Sequence, residues 1–294
     1  MSVEIPYVRD IEFNYGDSVE VSPLIRRVVA ENPSAFTYKG TGTYIIGHGR
    51  VAVIDPGPLI DAHVEALMRA LEGETVTHIL ITHTHTDHSP AAAPLKALTG
   101  ARTYGYGPHG AGSGEEDGDM DFVPDVEIRH GDIIKGDGWT IECVHTPGHT
   151  SNHICFALKE EKALFSGDHV MGWSTSIVSP PDGDMSAYMD SLALLLTRDD
   201  EVYWPTHGPA IHDPKRLVRA FIAHREEREQ QIIEQLKAGH HRIAEMVPVM
   251  YAAVDRRLHP AAARSVFAHM TRLVAQGRVL TDGEVTLGAE YRLP

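Results

Sequence analysis

The sequence predicts an α/β fold with a smaller, mainly helical unit at its C-terminal end, and three observations carry the prediction. Strand-like and helix-like segments alternate from Thr43 onward, the pattern of a sheet covered by helices. Three histidines and an aspartate come directly after an apolar run, His78 to Ile81, and so sit at the end of a strand, where α/β proteins gather ligands. From about Pro214 the texture changes to long amphipathic helices. The chain is therefore divided into residues 1–213 and 214–294.

Taken in order, Thr43-Tyr-Ile-Ile-Gly and Val51-Ala-Val-Ile-Asp read as two strands, which a Gly47-His-Gly turn joins into an antiparallel hairpin. Asp55-Pro-Gly-Pro ends the second strand. Residues Asp61 to Glu72 have helical spacing, with Val64, Leu67, Met68 and Leu71 on one face and Gly73 as the stop. Thr77 to Ile81 returns as a strand. Ser89 and Pro90 have the chemistry of a cap and first turn for a helix over Ala91 to Leu98, stopped by Gly100. A short strand follows at Ala101 to Tyr104. Gly110 to Asp121 is rich in Gly, Asp and Glu, the composition of a surface loop and a candidate lid. Strand-like pieces recur at Trp139 to His145, Ile154 to Leu158 and Ala163 to Ser166. In the C-terminal unit, Leu217 to Leu236, Ile243 to Tyr251 and Ala261 to Ala275 read as helices. Val279-Leu-Thr and Tyr291-Arg-Leu then flank an Asp282-Gly-Glu turn. Three helices and a hairpin are the layout of a winged helix.

Composition narrows the class. With 42% apolar and 23% charged residues over 294 positions, the chain has ample core for one large or two ordinary domains. No run approaches the roughly 18 apolar residues of a membrane span. Met1 to Asp10 is acidic and has no apolar signal core, and the two cysteines, Cys143 and Cys155, build no disulfide framework. A cytoplasmic location is the expectation, with both thiols buried and inert. The charge of −15 is uneven: residues 1–213 hold 13 Lys and Arg against 32 Asp and Glu, whereas residues 214–294 hold 13 against 9. Two units facing different partners would give that asymmetry.

The chemistry concentrates in Ile79 to Pro90, where His83, His85, Asp87 and His88 fall within six residues. If the extended backbone continued, His83, His85 and Asp87 would project to one side and His88 to the other. Three later places repeat the strand-to-loop context with a ligand-type residue beside Gly or Pro: His149 in Thr146-Pro-Gly-His-Thr, Asp168 in Phe165-Ser-Gly-Asp, and His207 in Trp204-Pro-Thr-His-Gly. His153 and His169 lie next to these and are candidates for outer support. Trp173, Ser174 and Thr175 are candidates for a substrate wall.

This order, His-x-His-x-Asp-His, then Gly-His-Thr, then Gly-Asp, then a late His, resembles that of the metallo-β-lactamase-fold hydrolases, over roughly Thr43 to Gly208. The resemblance implies an αββα sandwich with a dinuclear zinc site at one edge. It implies that His83, His85 and His149 hold one ion and Asp87, His88 and His207 the other, with Asp168 bridging. Imidazole and carboxylate ligands suit zinc, and iron or manganese accept the same set. Two dications facing two carboxylates leave a net +2 around a bridging solvent, and bound zinc lowers the pKa of water to about 7. A metal-bridging hydroxide attacking a carbonyl or phosphorus is the expected chemistry, with Asp87 also orienting it.

Within that superfamily, Asp168 argues against a true β-lactamase, which generally lacks the bridging carboxylate. The 18 residues between His149 and Asp168, and the 38 between Asp168 and His207, leave no room for the inserted domain of β-CASP nucleases. Thr146-Pro-Gly-His-Thr-Ser-Asn-His-Ile resembles glyoxalase II, although Asp87-His-Ser-Pro departs from its Asp-His-x-Gly-Gly. The mononuclear persulfide dioxygenases do not need all seven ligands. The strongest resemblance is to the branch with a C-terminal β-lactamase-associated winged helix, which includes a mitochondrial endoribonuclease. A small-molecule substrate, an ester, thioester or lactone, is the leading expectation. Single-stranded RNA, with Arg256, Arg257, Arg264 and Arg272 near phosphates, is the alternative. A metal-binding module without catalysis is the second alternative. A dimer contact is a further role for the winged helix.

Overall fold

The computed structural model describes residues 3–110, 118–253 and 255–294. Most of the candidate lid, residues 111–117, falls outside them. One seven-stranded sheet takes β1 (Ser18–Ser22), β2 (Ile25–Val29), β3 (Gly42–Ile46), β4 (Arg50–Ile54), β5 (Thr75–Leu80), β6 (Arg102–Gly105) and β7 (Val126–Glu127) in sequence order. The pairings are antiparallel from β1 to β4 and parallel from β4 to β7. The parallel crossovers carry α1 (Asp61–Ala70) and α2 (Ala92–Thr99).

The second sheet is ordered β12-β11-β10-β9-β8, from β8 (Ile133–Lys135), β9 (Thr140–His145), β10 (Ile154–Leu158), β11 (Ala163–Gly167) and β12 (Val202–Pro205). Only β11 and β12 pair in parallel, and α3 (Met185–Thr197) connects them. Strand alternation then sorts the side chains into layers. Tyr44, Ile46, Ala52 and Ile54 point inward against Ile141, Cys143, Phe156 and Phe165 of the facing sheet. Their neighbours Ile45, Val51 and Val53 point outward beneath Leu67 of α1 and Leu95 of α2. On the far side Val144, Cys155 and Leu164 meet Met185, Tyr188 and Leu192 of α3. The result is the expected αββα sandwich. Each fully buried aliphatic or aromatic side chain contributes about 1.5–3 kcal/mol to it.

The long helix α4 (Pro214–Lys237) is shared between two cores. Leu217, Val218 and Phe221 pack on α3, while Ile232 and Leu236 pack with α5 (Ile243–Met250) and α6 (His259–Ala275). The short strands β13 (Leu280–Thr281) and β14 (Tyr291–Arg292) pair antiparallel and complete the winged-helix region. Glu229 of α4 is buried between the two and accepts from Arg272 and from Arg278 at 2.8 Å. Among the described residues no helix is long and apolar enough to cross a membrane.

Ser89 does not cap α2. Its hydroxyl donates to Asp119 Oδ2 at 2.6 Å, and the helix starts later, behind Ala91, which makes no side-chain cap bond. The strands β1, β2, β7 and β8 and the helix α3 are additions to the predicted set.

Candidate metal centre

All seven candidate ligands arrive from strand ends at one edge of the sandwich. His83, His85, Asp87 and His88 follow β5, His149 follows β9, Asp168 follows β11 and His207 follows β12. Among the described residues three groups bring ligand atoms within 4.8 Å of one another. They are His83, His85 and His149; His83, His88 and Asp168; and Asp87, His88 and His207. The backbone does not stay extended through the first loop. β5 ends at Leu80, and a turn closed by His88 N–H to His85 C=O swings His88 back until its ring centroid is 3.9 Å from that of His83.

Hydrogen bonds on the outer ring nitrogens set how the imidazoles are presented. His88 Nδ1 donates to Asp55 Oδ2 at 2.9 Å, His149 Nδ1 to the Ile177 carbonyl at 2.6 Å and His207 Nδ1 to the Gly40 carbonyl at 3.1 Å. Thr82 Oγ1 gives its own proton to Asp55 and therefore accepts from His83 Nδ1, at 3.1 Å. With Nδ1 protonated in each case, the lone pair of the neutral ring sits on Nε2, which is the atom that points inward. His85 meets them with Nδ1, 2.9 Å from His83 Nε2 and 3.1 Å from His149 Nε2.

Two glycines make the close packing of these loops achievable. Gly148, before His149, has φ +141°, and a Cβ there would lie 2.4 Å from Tyr188 Cα. Gly40 has φ +123°, and a Cβ would lie 2.1 Å from the Ala30 carbonyl.

The electrostatics divide the site into halves. Burial, reinforced by the surrounding histidines, holds His83 well below the ordinary histidine range, and burial with His85 takes His149 down to about 4. Burial opposes charge on His88 as well, but Asp87, Asp168 and Asp55 outweigh it and raise its pKa. Asp168 and Asp87 do the same for His207. Against their own burial, the two carboxylates are depressed by those histidines. Positive charge is thus favoured between Asp87 and Asp168.

Among the described residues several atoms there have no hydrogen-bond partner. His88 Nε2 and Asp168 Oδ1 are buried without a hydrogen bond, and they lie 3.6 Å apart. His207 Nε2 lies 3.0 Å from Asp87 Oδ2, off the direction a hydrogen bond requires. Orphaned buried polar atoms are costly, and here they converge. The donor set of imidazoles and carboxylates, with tautomers fixed from outside, fits divalent metal ions.

Asp55 underlies the whole arrangement and was not among the expected site residues. It is fully buried, with φ +47°, and accepts from Thr82 N, Thr82 Oγ1, Thr206 Oγ1 and His88 Nδ1 at 2.7–3.0 Å. Its Asp-Pro-Gly context after a strand was the available signal. Asn152 and Thr84 were missed too: Asn152 Nδ2 donates to Thr84 Oγ1 at 2.8 Å, behind the ligand loop. His153 is bonded to Thr146 Oγ1 at 2.9 Å and stands 5.1 Å, centroid to centroid, from His83. Among the described residues neither ring nitrogen of buried His169 has a hydrogen-bond partner.

Trp173 is half-buried beside His207. Its indole edge closes on Gly208, and Tyr38 stacks on its face at 4.9 Å and 15°. Both cysteines are buried with thiols pushed up to about 12. Of the basic residues considered for phosphate, Arg272 turns inward onto Glu229 and Arg257 pairs with Asp255 at 2.7 Å.

Residues 39–207 match the model of the metallo-beta-lactamase superfamily, and residues 243–288 that of the beta-lactamase associated winged helix domain. An atrochrysone carboxyl ACP thioesterase of Claviceps purpurea is 33% identical over 234 residues, 78% of this chain and 68% of that protein. Beta-lactamase-like protein 2 homolog of Drosophila melanogaster is 31% identical over 268 residues, 86% of this chain and 88% of that protein. A beta-lactamase domain protein from Burkholderia ambifaria superposes with a TM-score of 0.80 at 21% identity, over 99% of this chain and 97% of that one, a likeness of fold.

Proposed function

This chain belongs to the metallo-β-lactamase superfamily as a metal-dependent hydrolase, and from that premise we propose that it hydrolyses a thioester at a pair of zinc ions. One observation carries the choice of substrate: 33% identity to an ACP thioesterase across 78% of the chain. His83, His85 and His149 would hold one ion and Asp87, His88 and His207 the other, with Asp168 shared. Two distances support the sharing, since Asp168 Oδ1 is 3.5 Å from His207 Nε2 and Oδ2 is 3.9 Å from His149 Nε2. We take residues 1–213 as the catalytic unit and 214–294 as the C-terminal unit.

Bound zinc supplies a water acidified to near neutral pH and a Lewis acid for the carbonyl oxygen. The protein's part is orientation. Asp55, Ile177, Gly40 and Thr82 hold the imidazole protons outward, so the rings do not compete for the reacting water. Asp87, the more exposed of the two carboxylates, orients the attacking water. Tyr38 and Trp173 present an apolar wall to the acyl group beside His207. Hydrolysis breaks the carbon–sulfur bond, the water oxygen joins the acyl carbon and the thiol leaves with a proton.

The RNA alternative rests on the winged helix. Inward-turned Arg272 and an acidic catalytic unit work against it. Zinc-loaded protein assayed in parallel on acyl thioesters, esters, lactones, phosphodiesters and single-stranded RNA tests the reading. The thioester is expected to give the highest kcat/KM. RNA cleavage at equal or greater efficiency, with salt-sensitive binding lost in Arg256→Ala/Arg257→Ala, overturns it.

A further inference from the structure

The loop after Asp168 is tied to the metal centre at both ends. At its start Asp168 enters the cluster. At its far end the Ile177 carbonyl accepts the Nδ1 proton of His149 at 2.6 Å. Between them, Ser176 Oγ donates to the carbonyls of Asp168 at 2.5 Å and His169 at 2.8 Å. The carbonyl of Ser176 itself is taken by a residue from another part of the chain. Arg225 of α4 donates to it through Nη2 at 2.5 Å.

Arg225 is an unusual residue to find there. It is only 4% exposed, and among the described residues no carboxylate pairs with it. Its guanidinium sits 5.2 Å from the ring centroid of Tyr188, whose hydroxyl donates to the His169 carbonyl at 3.0 Å, and among the described residues its Nε has no hydrogen-bond partner. A buried cation is expensive, and a carboxylate is the usual compensation. Here the compensation is one carbonyl and one ring face, both belonging to the framework of the loop that builds the site. An apolar side chain of similar length would pack on Tyr188 without that cost, so packing alone does not account for the charge.

We propose that Arg225 is a positioning residue of the metal centre. From the C-terminal helix it fixes the Ser176–Ile177 peptide, and thereby the ring of His149 and the backbone of Asp168. Helix α4 is on this account part of the catalytic apparatus as well as the connection to the winged helix. The inference rests on the metal-site reading above, and metal affinity separates the two. A wild-type protein that binds no zinc removes the site reading. A wild-type protein that binds zinc while the Arg225 variants bind it equally well removes only this one.

The test compares Arg225→Met and Arg225→Lys with Arg228→Met, a control on the same helix whose guanidinium lies over Tyr251 instead. Zinc affinity by chelator competition, kcat and KM for the thioester, thermal unfolding and the His149 Nδ1–H proton resonance, assigned with His149→Ala, are measured for each. Arg225→Met is expected to bind zinc 10–100-fold more weakly. Its kcat should fall at saturating zinc with KM nearly unchanged, and its His149 proton should exchange faster. Arg225→Lys, which keeps a donor for the Ser176 carbonyl, should recover part of each loss, and Arg228→Met should match wild type. Wild-type zinc affinity, kcat and proton exchange in Arg225→Met overturn the proposal. If that variant does not fold, Arg225→Leu, which also removes the donor to the Ser176 carbonyl, decides by the same proton. Protection indistinguishable from wild type together with lowered stability makes Arg225 a structural residue and overturns the proposal.

Discussion

His88 donates its Nδ1 proton to Asp55 Oδ2 at 2.9 Å, with both side chains almost wholly inaccessible to solvent. The same carboxylate accepts three further protons, one of them from Thr82 N–H on Oδ1 and the others on Oδ2. A fully buried residue thus decides which nitrogen of His88 faces Asp87 and Asp168.

Asp55→Asn tests that control. In either orientation the amide group points an N–H at a donor, Thr82 N–H on one side or His88 and the two threonine hydroxyls on the other. The expected cost is about 1.5–3 kcal/mol per charge-assisted bond lost. Metal affinity should fall 10–100-fold, read by chelator competition. Unchanged zinc affinity would show that His88 is oriented by something else.

Gly148→Ala attacks the opposite half of the site. The added methyl would meet the Tyr188 backbone at 2.4–2.6 Å, and backbone within a helix does not yield as a side-chain tip would. Overpacking of this kind costs about 1–3 kcal/mol, to which the strain of φ +141° in an L residue is added. A lower midpoint in urea and weakened zinc binding at His149 are expected together.

His63 gives stability a pH dependence of known sign. Burial lowers its pKa to about 4, and its Nε2 is 2.9 Å from Thr43 Oγ1. As pH falls below about 6.5 the unfolded chain takes up a proton there, while the folded chain does not until about pH 4. The unfolded state binds more protons across that window, so stability falls as pH falls. The contribution is about 3 kcal/mol when integrated over the window. Urea unfolding of wild type and His63→Gln between pH 7 and 4 should show the wild type losing ground by that order. Parallel curves would exclude His63 as the cause.

The candidate ligands were legible because His83, His85, Asp87 and His88 crowd directly behind a strand and His149, Asp168 and His207 each close a strand beside a Gly, local patterns that need no tertiary knowledge. The strands at Thr43–Gly47 and Val51–Asp55 were legible as apolar runs joined by a turn, whereas the layering came from the family resemblance, because runs apolar on both faces do not show which face meets the other sheet. What failed was geometry beyond the strand end. The extended backbone expected through His83–His88 gives way to a turn, because His88 has to reach Asp55, 33 positions earlier. Ser89 looked like a helix cap and found Asp119 instead. The helix α3 carries a readable Asp184 cap and the spacing Met185, Tyr188, Leu192, Leu195, but it is apolar on most sides, so it offers little amphipathic contrast. Asp55, Ile177 and Arg225 act through long-range bonds that no spacing in the chain encodes.

Asp168 is the residue whose loss should separate one metal from two. It groups with His83 and His88, and its oxygens also lie 3.5 Å from His207 Nε2 and 3.9 Å from His149 Nε2. Among the described residues its Oδ1 makes no hydrogen bond, so Asp168→Asn removes a charge, and with it the ion pairs to His88 and His207, without breaking a hydrogen bond at that atom. Asp87→Asn should lower the affinity of one ion. Asp168→Asn should lower that of both, because both groups of histidines lose the carboxylate between them. Zinc per chain, measured after dialysis, is expected near two for wild type and at one or fewer for Asp168→Asn, with hydrolysis lost in step. Loaded wild type should also unfold at higher temperature than stripped protein, since an ion that binds only the folded state stabilises it in proportion to the logarithm of its concentration over Kd. Full turnover by a stripped preparation, or two tightly held ions in Asp168→Asn, would each contradict the shared site.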